Sequence, residues 1–129
     1  MIRVFITKQS NYPVRVGPIK KKLAEFLVKS GIVSDAEVSI AVVGRERMLE
    51  IARRYTSDKK LHNVLSFTAG EVKGNFSYPL DGIIRLGEIV VCYPLAVAEA
   101  KEENVLIDER VYELIEHGAL HLLGIHHKE

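Results

Sequence analysis

His117-Gly118-Ala119-Leu120-His121-Leu122-Leu123-Gly124-Ile125-His126-His127 carries four of the chain's five histidines, and its spacing organises the rest of the chain. His117 and His121 stand four apart in an apolar, helix-forming run. Four residues turn an α-helix by about 400°, so both imidazoles fall on one face, one turn apart. Gly124 suits the left-handed position that ends a helix and reverses the chain. A helix continued without that stop would carry His127 about 15 Å from His117. A turn at Gly124 instead lets His126 or His127 fold back and complete a set of three imidazoles, with one coordination position left for water. Three nitrogen donors with an open position suit a catalytic cation, Zn²⁺ by ligand type, better than a closed structural site. An expression tag would be contiguous, whereas these histidines are interleaved with Leu and Gly at helix-then-turn spacing.

Working outward, the helix bearing His117 places Val111, Leu114, Ile115 and Leu122 inward, with Asp108 as its expected cap. Pro94 opens a helix that runs to about Glu103. Asn63–Phe67 and Leu86–Val91 read as strands, and Arg45–Arg54 as a helix with Met48, Leu49 and Ala52 inward. Val38–Val43 alternates as a strand, with Val38, Ile40 and Val42 on one face. Pro18–Ser30 repeats Ile19, Leu23, Phe26 and Leu27 at helical spacing and stops at Gly31, and Ile2–Ile6 is the first strand. Thr68–Gly82 holds Gly70, Gly74, Asn75, Pro79 and Asp81 without a sustained pattern, and reads either as a flexible hairpin or as a loop over the site. This order predicts one α+β domain over residues 1–129. Its mixed four-stranded sheet packs with about four helices and ends in the metal-binding helix and turn.

The 129 residues are 47% hydrophobic and 27% charged, which places the chain among ordinary globular domains. No apolar run reaches the ~20 residues of a membrane-spanning helix. Met1–Phe5 reads as a strand and not as a signal peptide, so no membrane association is expected. Cys92 is the one cysteine and can form no internal disulfide; it reads as a buried small hydrophobe, and a reducing, cytoplasmic location is expected. A net charge of +1 neither demands nor excludes nucleic acid. The Lys20-Lys21-Lys22, Arg53-Arg54 and Lys59-Lys60 clusters permit phosphate contacts without requiring them.

The same histidine spacing occurs in metzincin proteases, where the residue after the first ligand is the Glu that accepts the proton of metal-bound water. Here that residue is Gly118, which has no proton-accepting group. Glu116 points about 100° away from His117 around the helix and does not replace it. Peptide hydrolysis by that mechanism is excluded.

The sequence resembles the YbeY family of metal-dependent endoribonucleases. His117, Gly118, Leu120, His121, Leu122, Gly124 and His127 match its His-Gly-x-Leu-His-Leu-x-Gly-x-Asp-His signature. Asn63-Val64-Leu65-Ser66-Phe67 and Leu86-Gly87-Glu88-Ile89-Val90 resemble two of its strands. The resemblance selects His127 over His126 as third ligand beside His117 and His121. It implies metal-assisted cleavage of RNA in ribosomal RNA maturation, with the small ribosomal subunit or its assembly factors as partners and no DNA substrate. Arg53, Arg54 and Lys59 are candidates for neutralising phosphate charge, with Ser66 as a cleft-wall residue that offers backbone hydrogen bonds. Glu88 aligns with the family's acidic strand residue, as a proton acceptor, a partner of a ligand, or a solvent-facing carboxylate. The chain departs from the pattern at Thr56, where the family has Arg, at His126, where it has Asp, and at His62, usually Thr and read here as a surface turn residue. Thr56 is the feature that favours a competing reading: a metal-stabilised RNA- or ribosome-binding module that has lost catalysis.

Overall fold

Alternation of apolar and polar side chains gives the sheet two faces, and each receives its own helices. A computed structural model describes residues 1–69 and 82–124. Its elements are β1 (Ile2–Lys8), α1 (Val16–Lys29), β2 (Ala36–Val43), α2 (Arg45–Tyr55), β3 (Val64–Thr68), β4 (Ile84–Cys92), α3 (Tyr93–Glu103) and α4 (Ile107–Leu122). The strands lie in the order β1-β2-β4-β3; β1, β2 and β4 run parallel, while β3 joins β4 antiparallel at the edge. This is the expected α+β architecture with a mixed four-stranded sheet. Strands β1, β2 and β4 extend one to two residues beyond their expected ends, where paired neighbours continue the ladder, while β3 is shifted by one residue and the helix ends differ by one or two.

On one face Val4, Val38, Ile40, Val42, Ile89 and Val91 meet α1 through Ile19, Leu23 and Leu27, and α4 through Val111, Leu114, Ile115 and Ala119. On the other, Phe67, Val90 and Cys92 surround Met48 of α2. Cys92 is fully buried, as expected of a small hydrophobe, and burial pushes its thiol pKa up. The strand alternation decides which side chains can reach α4: those sharing the face of Ile89 and Val91.

Gly87 interrupts β4 for a physical reason. The β2–β4 register skips one residue between Glu37 and Val38, so that Arg85 opposes Glu37 and Gly87 opposes Val38. Gly87 takes φ +140, and a Cβ there would press on the Phe67 carbonyl oxygen and on Leu122 of α4. Only glycine serves this bulge.

The start of α4 differs from expectation. Leu106, not Asp108, holds the N-cap position and makes no side-chain cap bond. Asp108 lies inside the first turn, where its carboxylate accepts the Arg15 backbone N–H at 3.3 Å. With Glu109 it complements the positive end of the helix.

Candidate metal centre

Helix α4 turns two kinds of residue in two directions. Gly118 and Ala119 are buried against the sheet, while His117 and His121 remain exposed. A Cβ on Gly118 would lie 2.8 Å from Ile89 Cγ2 and 3.2 Å from Cγ1, closer than packed carbon atoms tolerate. Position 118 is therefore glycine because the helix lies directly on β4. A glutamate there would start into the sheet, which reinforces the exclusion of the protease mechanism.

The two imidazoles meet edge to face, with ring centroids 5.1 Å apart and planes at 62°. Two imidazoles binding one tetrahedral cation at about 2.0–2.1 Å have centroids about 5 Å apart. The pair thus has the spacing that a shared cation requires. Leu123 donates its N–H to the Ala119 carbonyl, and Gly124, at φ +75, donates to His121 at 3.0 Å, so the helix ends where the sequence places its stop. His126 and His127, and with them the choice of third ligand, lie outside the described residues. Among the described residues no third His, Cys, Asp or Glu joins the pair. Most of the Thr68–Gly82 segment also lies outside them.

His117 and His121 open onto a cleft of about 180 Å³, also lined by Gly118, Val64, Leu65 and Ser66. Its second wall is the edge strand β3. Ser66 pairs with Ile89 and Val64 with Val91, so both side chains share the face on which α4 packs. The Cys92 N–H bonds the Asn63 carbonyl at 2.9 Å, which sets the alternation of the ladder. Leu65 and Phe67 direct their backbone groups to β4, while Val64 and Ser66 direct theirs away from it, to the side where no strand pairs among the described residues.

The other candidate residues are placed elsewhere. Glu88 pairs with Phe67 and Ser39, and its exposed side chain lies on the α2 face, across the sheet from the histidines. A role as proton acceptor or ligand partner at His117 and His121 does not fit this geometry; of the three readings, the solvent-facing carboxylate remains. Arg53 and Arg54 are exposed on the last turn of α2, which packs on that same far face, and neither lines the cleft. Lys59 is exposed on the loop from α2 to β3, at φ 54.

That loop is organised by residues whose roles local sequence does not reveal. The Thr56 hydroxyl lies 2.7 Å from the Ala52 carbonyl and 3.0 Å from Asp58 Oδ1, and accepts the Lys59 N–H at 3.1 Å. Asp58 Oδ1 also receives the Lys60 N–H at 3.1 Å and stands 2.9 Å from His62 Nε2. The hydrogen bond from His62, followed by that from Lys60, holds the Asp58 carboxyl down at about 2. His62 is thus an anchored turn residue, and Thr56 serves the turn where the resemblance expects an arginine.

The model of the endoribonuclease YbeY family matches residues 6–129. The chain belongs to the YbeY family. Endoribonuclease YbeY of Sulfurihydrogenibium sp. is 31% identical over 126 residues, covering 98% of this chain and 79% of the relative. Endoribonuclease YbeY of Syntrophotalea carbinolica is 30% identical over 121 residues, covering 94% and 77%. A solution structure from Thermotoga maritima shares the fold at a TM-score of 0.60 and 24% identity, over 99% of this chain and 75% of that one. YbeY membership supports a nuclease role, hydrolysis with RNA as substrate. Among the described residues no helix is long and apolar enough to cross a membrane.

Proposed function

We propose that this chain is a metal-dependent, single-strand-specific endoribonuclease that acts in ribosomal RNA maturation and small-subunit assembly in the cytoplasm, with the small ribosomal subunit or its assembly factors as partners. The observation that carries the reading is the His117–His121 pair, spaced for one cation and facing strand β3 across a shared cleft. His117 and His121, with His127 as third ligand, would hold one Zn²⁺ per chain. When bound, a cation of this class supplies Lewis acidity toward a phosphoryl oxygen and toward a water molecule.

The chain's own groups define what enters. The backbone groups of Val64 and Ser66 that turn away from β4, unpaired by any strand among the described residues, would offer both donors and acceptors to an extended RNA strand. An unpaired strand would be free to present its backbone and splayed bases to a cleft of about 180 Å³, whereas A-form RNA keeps its bases paired and stacked in the helix. Arg53, Arg54 and Lys59 lie outside the cleft lining and act on the flanking phosphates of a longer RNA, where cationic side chains hold the backbone without reading bases.

One observation favours a second reading. Thr56 is committed to the turn, so no arginine at that position serves the cleft, as a module that binds RNA without cutting it would allow. Incubation of Zn²⁺-loaded protein with single-stranded and fully paired RNA separates the two. The nuclease reading expects chelator-sensitive cleavage of the single strand alone; binding without cleavage would establish the module.

A further inference from the structure

The two cleft walls are joined through a third element. Asn63, immediately before β3, donates from Nδ2 to Glu99 Oε2 of α3 at 3.0 Å. Arg110 of α4 donates from Nε to the other oxygen of the same carboxylate, Oε1, at 2.8 Å. Each oxygen of Glu99 therefore holds one wall. The Asn63 carbonyl also accepts the Cys92 N–H, which fixes the same residue to β4. Both charged side chains are largely withdrawn from water, Arg110 at 20% and Glu99 at 28% exposure, where a charge-assisted bond is screened less than at the surface.

The bridge stands at a defined distance from the histidines. Arg110 precedes His117 by seven residues, which on a helix returns to the same stripe about 10 Å away. Asn63 precedes Ser66 by three, about 10 Å along a strand. Both walls are thus tied about 10 Å from the end of the cleft where His117, His121 and Ser66 face one another. Glu103 and Glu113 lie 3.9 and 3.4 Å from Arg110 Nη1 and occupy the guanidinium's other side, leaving Nε to Glu99.

We propose that Glu99 is a positioning residue for the cleft, setting the separation of β3 from α4 and hence the placement of an RNA strand against the histidine pair. The inference rests on the nuclease reading for its functional consequence, but the bridge itself is testable without metal or RNA.

In Asn63→Asp two carboxylates face each other and the link to Glu99 is lost. In Asn63→Asp/Glu99→Gln it is rebuilt with reversed polarity: the new amide at position 99 accepts from Arg110 on its oxygen and donates from its nitrogen to the new carboxylate at position 63. Amide hydrogen exchange of metal-free protein reads the wall. Leu65, Phe67 and Cys92 should exchange about tenfold faster in Asn63→Asp, Val38–Val42 should be unchanged, and the double variant should return to within about twofold of wild type. With single-stranded RNA, kcat should fall in the single variant with little change in KM, and recover in the double. Faster exchange shared equally by β2, or a double variant no better than Asn63→Asp, would overturn the proposal. A wild type that cuts no RNA would remove the nuclease reading, while the exchange comparison would still decide for or against the bridge.

Discussion

Replacing Gly118 by alanine tests the close approach of α4 to the sheet. In a helix interior the change should help, because glycine there costs about 1 kcal/mol relative to alanine. Here the added carbon would sit 2.8 Å from Ile89 Cγ2, 3.2 Å from Cγ1 and 3.5 Å from Cδ1. Ile89 is fully buried, and Cγ2 branches at its Cβ, so the contact cannot be relieved by swinging a flexible end. Overpacking of this kind costs about 1–3 kcal/mol, which leaves a net destabilisation of about 1 kcal/mol after the helical gain. For 129 residues that is a fall in Tm of about 4 °C, measured by thermal and urea denaturation. In an Ile89→Ala background the obstruction is gone, and Gly118→Ala should become neutral or stabilising. A gain of stability in the wild-type background would refute the close approach and, with it, the packing reason for glycine beside the first histidine.

Gly87→Ala should be far more severe, about 3 kcal/mol or more, because positive φ and an obstruction by the Phe67 carbonyl act together; a loss below about 1 kcal/mol by urea titration would show that the bulge can be rebuilt. Thr56→Arg gives up the hydroxyl that holds the Ala52 carbonyl and the Lys59 N–H, costing about 1–2 kcal/mol by urea titration; unchanged stability would show that the turn does not depend on it. Asp58 should titrate near 2 in a carbon-detected NMR experiment, below the ordinary carboxylate value of about 3.9. Because its folded value is depressed, its contribution to the loop is present above the ordinary value and is lost as pH falls through about 2. A midpoint at the ordinary value would mean that the bond from His62 is not formed in solution.

What local sequence carries and what it does not divide along physical lines. The His117–His121 face and the stop at Gly124 follow from helical periodicity and left-handed φ, properties of neighbouring residues, and both are seen. Period-two alternation likewise separates the face of Ile89 from that of Glu88. Only the packing of Gly118 on Ile89 shows which of those faces meets the histidines, and that contact joins residues 29 apart. The family resemblance therefore offers Glu88 to a site on the far side of its own sheet. The strand order β1-β2-β4-β3 and the antiparallel edge depend on pairings between distant segments. The Glu99 bridge is similar: Asn63 and Glu99 are 36 residues apart, with no motif linking them. Asp108 is an acceptable cap by residue type, but the Arg15 N–H, 93 residues away, engages its carboxylate instead.

The histidine pair is tested by metal content after Zn²⁺ loading and exhaustive dialysis, compared by elemental analysis between wild type and His117→Ala or His121→Ala. Wild type should retain near one equivalent, and both variants, each lacking one of the three proposed ligands, below about a tenth of that. Full occupancy in either variant would contradict the assignment of the cleft histidines as ligands, and with it the catalytic metal on which the nuclease reading depends.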